Sequence, residues 1–276
     1  MLNRFQLFLK YLYNSRIHEY DTILKVANNN GYKIVSLLEY VQGCLDHKEK
    51  VLILRHDVDH VSFGTNLMFE VEKKYGAHAS YYFRDSKFDE STVDRELMQE
   101  IEDYGSEASF HFETIANYGI MNNIPDRQSL LDNDYFLKCR QLLKQEIENF
   151  REKYGVSCKT IASHGTAYNS EVGVSNNALT EDTDCYELLG LKAEAYNKEL
   201  IEGLGIYISD IPIEINDGYR YGVSVLEALE KEISPILFLS HPNHWHYSLI
   251  KQIKKLIKVI IYPPQRQSGK FVRIIK

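Results

Sequence analysis

The sequence lacks the features of a membrane span, a nucleic-acid binder or a disulfide-built scaffold. No stretch of about 18 apolar residues occurs, so no transmembrane helix is expected. Basic charge is not in excess: 32 lysines and arginines stand against 39 aspartates and glutamates, a net charge of −7. Non-specific binding to nucleic acid or to an anionic membrane needs a basic face, so both are argued against. The four cysteines, Cys44, Cys139, Cys158 and Cys185, are scattered, and none forms a CxxC pair. They read as reduced core cysteines, not as a thiolate zinc site. Tryptophan occurs once, while tyrosine occurs 20 times. Such tyrosines more often line the outside of a core than a sugar cleft.

Linkers, repeats and low-complexity segments are also missing, so residues 1–276 are expected to form a single domain. Residues 1–14 place Leu2, Phe5, Phe8, Leu9 and Leu12 three or four apart, as one face of a helix requires. They lack a long apolar run and a small-residue cleavage site. The segment reads as an amphipathic docking helix, with membrane-surface contact as the alternative, and a cytoplasmic location is expected. Residues 1–47 are taken together as a helical extension packed on the rest of the chain. Lys251, Lys254, Lys255 and Lys258 alternate with Ile253, Leu256 and Ile257 at helical spacing, which makes a solvated helix face over 247–257.

What the sequence does contain is an alternation. Short apolar runs that suit buried parallel strands fall at 51–54, 79–83, 108–111, 160–163, 191–195, 206–209 and 236–240. Helical patterns lie between them at 63–75, 93–104 and 136–154, and Gly76, Gly105 and Gly155 supply their stops. A helix is also read over 34–47. Residues 112–131 and 164–182 carry little pattern and read as long loops. About seven strands alternating with helices predict the α/β class with a parallel sheet, and 276 residues suit one β/α barrel.

Seven of the ten histidines, His56, His60, His111, His164, His241, His244 and His246, fall at or just beyond the C-terminal end of a predicted strand. In parallel β/α folds that end carries the active site. Four clusters result. In Arg55-His56-Asp57-Val58-Asp59-His60, residues two apart share a face, so Arg55, Asp57 and Asp59 point the same way. Two neighbouring carboxylates are tolerable if one holds a metal and the other pairs with a cation or serves as a general base. A salt-bridged loop explains this cluster alone equally well. In Glu107 to Glu113, His111 and Glu113 both suit a cleft. Ser163-His164-Gly165 puts a histidine beside a sharp turn. Ser240-His241-Pro242-Asn243-His244-Trp245-His246 places His241 well for a general acid and Trp245 as a stacking surface for a sugar, or as a lid. Each cluster is weak alone; four at the ends of four buried strands are hard to reach by packing.

These residues resemble a family. Arg55-His56-Asp57-Val58-Asp59, then Ala79-Ser80-Tyr81-Tyr82-Phe83-Arg84, then Gly105 to His111 are similar to motifs of the NodB-homology polysaccharide deacetylases (carbohydrate esterase family 4), in a branch whose first motif reads HDVD. Ser163-His164-Gly165, Tyr207-Ile208-Ser209-Asp210 and Ser240-His241-Pro242 look like its later motifs. The likeness spans residues 50–262. It implies a distorted seven-stranded (β/α) barrel and metal-dependent removal of acetyl groups from a carbohydrate, most naturally an acetylated amino sugar, free, nucleotide-linked, lipid-linked or polymeric. It also implies Asp57 as general base, Asp59 and His111 as ligands to a divalent metal, expected to be Zn²⁺, and His241 as general acid. This sequence departs from the family in three places. Val58 separates the aspartates, Ile115 stands where the second metal histidine is expected, and the arginine-bearing third motif is missing. His164 is therefore the candidate third ligand and Glu113 the reserve. Arg55 is the candidate partner of the base, and Asp210 and Trp245 join the substrate or supporting shell. Two other functions are weighed: a two-carboxylate glycosidase using Asp57 or Asp59 with Glu113, and a metal-free barrel that only binds glycans.

Overall fold

The computed structural model describes residues 16–43, 49–85, 93–182, 184–213 and 216–246, with 254 and 257. Among these, eight strands follow one another: β1 (Tyr32–Ser36), β2 (Lys50–Val58), β3 (Ser80–Phe83), β4 (Glu107–Phe112), β5 (Thr160–Ser163), β6 (Ala193–Glu194), β7 (Ile206–Ser209) and β8 (Ile236–Ser240). Strands β2 to β8 are the seven of the β/α alternation, which places the chain in the (β/α) barrel class. No helix among the described residues is long and apolar enough to cross a membrane.

The chain divides into two compact units. The first comprises residues 1–36, 44–79 and 204–276. Its strands pair in parallel in the order β1-β2-β8-β7. From Val51 to Val58, β2 is buried at every position. That is the signature of a parallel strand covered on both faces, and it explains the unbroken apolar run Val51 to Leu54. Helices Ile17–Asn29 and Phe63–Tyr75 supply Ile23, Leu24, Met68 and Phe69 to the core, which β2 and β8 complete with Leu52, Leu54, Ile236 and Phe238.

The second unit comprises residues 37–43 and 80–203, with strands in the order β3-β4-β5-β6. Helices Arg95–Tyr104 and Asn133–Tyr154 end at Gly105 and Gly155, whose φ angles of 98° and 71° lie in the left-handed region that a Cβ disfavours. Met98, Ile101, Leu143, Ile147 and Phe150 pack with Tyr82, Phe110 and Ile161 in the core. At the start of β4 the fully buried Glu107 accepts from the Ser80 and Thr160 hydroxyls and from the Lys159 and Thr160 backbone N–H groups. Four donors satisfy a carboxyl that burial pushes up in pKa, and they tie β3, β4 and β5 together.

The sequence reading needs two corrections. Residues 32–36 form a strand where a helix is expected from position 34, and only Leu37–Val41 is helical. Pairing of Tyr32 to Ser36 with Lys50 to Leu54 decides the matter, because a short apolar run is ambiguous by periodicity alone. The stretches 112–131 and 164–182, read as loops, contain helices Thr114–Met121, Arg127–Leu130 and Ala167–Val172. Helices of four to eight residues are too short to display a period. The docking helix at 1–14 lies outside the described residues, as does 247–257 except at Lys254 and Ile257.

Candidate active site

In the first unit, the end of β2 and the turn after β8 carry the chemistry. Arg55 and Asp57 lie within β2, with 0% and 2% of their side chains exposed. The guanidinium grips the carboxylate with Nε to Oδ1 and Nη2 to Oδ2, each at 2.8 Å. This is the bidentate geometry that makes arginine a strong carboxylate partner. Breaking such a pair strands a buried charge. Arg55→Met is expected to lower unfolding free energy by about 3–5 kcal/mol. Urea denaturation measures it, and a loss under about 1 kcal/mol would mean that the pair contributes little beyond an exposed one. Asp59, just beyond the strand, is half-buried, and His60 is exposed.

Directly after β7, Asp210 is fully buried and gathers four polar hydrogens or imidazole nitrogens from the segment that follows β8. It accepts from the His241 backbone N–H at 3.0 Å, from His241 Nδ1 at 2.6 Å and from the Trp245 indole Nε1–H at 2.7 Å. His244 Nδ1 lies 3.3 Å from Oδ2. Burial alone would push the Asp210 carboxyl up. The charge and hydrogen bond of His241, followed by the influence of the nearby His244, overcome that and hold it well below the usual carboxylate range. Burial would likewise lower His241, but the charge and hydrogen bond of Asp210, joined by Asp57 and Asp59, push it up to about 9. His241 is thus an imidazolium at neutral pH. Its Nδ1–H is held by Asp210, which leaves the Nε2–H as the proton it can deliver.

Trp245 has 0% of its surface exposed. Its ring lies under the Arg16 guanidinium, 4.0 Å from the centroid, and packs edge-on to Tyr20 and Phe238. A buried indole has no face for a sugar, so the stacking role is corrected: Trp245 orients Asp210 through its N–H. His56 also changes role. It is wholly buried inside β2, with Nδ1 on Ser240 Oγ at 2.7 Å and Nε2 on Glu72 Oε1 at 2.8 Å, and the Tyr20 hydroxyl donates to the same oxygen at 2.6 Å. This network pins two helices to β2 and β8 and belongs to the scaffold.

In the second unit, His111 is near the end of β4 and His164 directly follows β5. Their ring centroids are 5.0 Å apart, and each offers a ligand nitrogen within 4.8 Å of the other's. His111 Nδ1 is 2.9 Å from the Ala162 carbonyl. A carbonyl only accepts, so Nδ1 carries a proton, and in the neutral ring Nε2 carries the lone pair. His164 Nδ1 makes a short hydrogen bond to Glu113 Oε1. Burial would raise Glu113, but the hydrogen bond and charge of His164, then Arg84 and His111, lower it. Arg84, just beyond β3, holds the same carboxylate oxygen through Nε at 3.2 Å. Glu113 is therefore an ionised acceptor that orients His164, not a donor aimed elsewhere. The sequence reading assigns no role to Arg84, Glu72 or Arg16. Arg84 has a signal in the sequence, since it is a charge set directly after an apolar strand. Glu72 and Arg16 have none, since their partners lie far along the chain.

The solved structures similar to this chain include the following two. The Streptococcus pyogenes deacetylase PplD in complex with acetate has a TM-score of 0.41 and 16% identity, over 63% of this chain and 69% of that one. IcaB from Ammonifex degensii has a TM-score of 0.41 and 17% identity, over 56% of this chain and 70% of that one. No family model matches the chain, and no curated protein does.

Proposed function

We propose that the chain is a metal-dependent hydrolase that removes the acetyl group from the nitrogen of an acetylated amino sugar. One observation carries the reading: His111 and His164 sit at adjacent strand ends, each with Nδ1 tied to an acceptor, the arrangement in which Nε2 serves as the ligating nitrogen. A histidine whose other nitrogen donates to a carboxylate or carbonyl is the usual supported metal ligand. The motif likeness adds the Asp59 carboxylate as third donor, and two imidazoles with a carboxylate are a donor chemistry that would suit Zn²⁺ or a similar divalent ion. When bound, the ion supplies Lewis acidity, polarising the acetyl carbonyl and easing ionisation of water.

The chain's own residues do the rest. Asp57, fixed by Arg55, takes a proton from the water whose oxygen bonds to the acetyl carbon. His241 gives its Nε2 proton to the nitrogen as the carbon–nitrogen bond breaks. Acetate and a free amine result, and the two transferred protons balance. The motif likeness over residues 50–262 supports assigning Asp57, Asp59, His111, His164 and His241 to one reaction, and supports the sugar substrate.

Elemental analysis of purified protein tests the proposal. About one tightly held equivalent of zinc or another transition metal is expected in the wild type, lost or held at least about tenfold more weakly in His111→Ala. A wild-type chain that holds no metal even after zinc is added would sink it and favour a glycan-binding barrel.

A further inference from the structure

The end of β7 and the turn after β8 together hold a second group of donors that the proposed reaction does not use as ligands. Asp210, His241 and His244 each offer one ligand atom, all within 4.8 Å of one another. The Asp210 oxygens lie 2.6 Å from His241 Nδ1 and 3.3 Å from His244 Nδ1. A tetrahedral zinc ion with bonds near 2.0–2.2 Å separates its donors by roughly 3.4 Å, so each of these pairs needs to open only slightly to admit the ion. His244 Nδ1 is buried and, though close to the carboxylate, is not aligned for a hydrogen bond with any described residue. Asp210 is wholly buried, unlike the exposed acidic groups that commonly cluster without a cation. The Trp245 N–H fixes Oδ2 as a supporting partner fixes a ligating carboxylate. Asp57 and Asp59 add negative charge around His241, while Arg16 opposes it from the Asp210 side.

We infer that Asp210, His241 and His244 form a second transition-metal site whose occupation switches off the acid. The metal displaces the proton from His241 Nδ1, and that proton leaves to solvent. The imidazolium becomes a metal-bound neutral ring, whose Nε2–H is a far weaker acid. Zinc would then activate through one site and inhibit through the other. The inhibitory consequence rests on His241 being the acid; the binding itself does not.

Titration of the full chain with zinc chloride against a chromophoric chelator tests both. Wild type is expected to take two equivalents, His244→Ala one and His111→Ala one. His244→Gln, which keeps more of the ring's volume, repeats the test if the alanine variant folds poorly. Acetate release from an N-acetylglucosamine oligomer is expected to fall with excess zinc in the wild type. In His244→Ala the inhibitory midpoint should rise at least about tenfold relative to wild type. If His244→Ala binds zinc with wild-type stoichiometry and affinity, or is inhibited at the same midpoint, the inference is overturned. The two proposals fail separately. An equivalent lost only in His111→Ala removes the second site and spares the first, and one lost only in His244→Ala does the reverse.

Discussion

Asp57→Asn is expected to cut turnover by about 10²–10⁴-fold, the range for loss of a general base, while zinc content stays at the wild-type level. Asparagine keeps an oxygen for Arg55 but removes the charge, so a buried guanidinium loses half of its partner. The variant should therefore also melt earlier, and rates must be compared at a temperature where both proteins are folded. The decisive pair of measurements is kcat beside metal content. Loss of the metal together with activity would mean that Asp57 is the ligand and Asp59 the base. Full activity would remove Asp57 from the mechanism.

Asp210→Asn should move the pH profile. In the wild type the acid works while His241 is protonated, so activity should persist up to about pH 9 and fall above it. Without the charged partner, burial is the main influence left on His241 and drives it to or below its ordinary value of about 6.5. At pH 8 the protonated fraction, and with it kcat, should fall roughly thirtyfold, recovering as the pH is lowered. Stability follows the same sign. A histidine raised in the folded state contributes stability that is fully present below about pH 6.5 and is lost as pH rises through about 9. The variant should lack that component, so melting temperature between about pH 6 and 10 should be flatter than in the wild type. An unchanged alkaline limb would show that His241 is not the acid.

Much of this arrangement is legible in the sequence, for a physical reason. Parallel strands buried on both faces write themselves as apolar runs, and the polar residue that comes after each run marks the strand's end. That marks Asp57, His111, His164 and His241, while Asp210 comes only with the family likeness. Three things escape. Strand β1 is too short for its period to distinguish it from a helix, and only its pairing with β2 settles it. His56 and Trp245 look functional because they lie inside polar motifs, yet both are buried, a property set by Tyr20, Glu72 and Arg16 from elsewhere in the chain. Ligand preparation is also invisible: nothing in the sequence says that Ala162 and Glu113 will fix the tautomers of two histidines.

The pairing of β1 with β2 also bears on where the catalytic part of the chain can be cut. Residues 32–36 hydrogen-bond to residues 50–54 as a parallel ladder. A fragment beginning at the first apolar run of the deacetylase-like region would leave the opening half of β2 as a bare sheet edge of valine, leucine and isoleucine. Such edges recruit other strands, and natural sheets guard against that with a cover or with charge. Strand β1 thus covers that edge, and its excision would favour aggregates over a smaller folded protein.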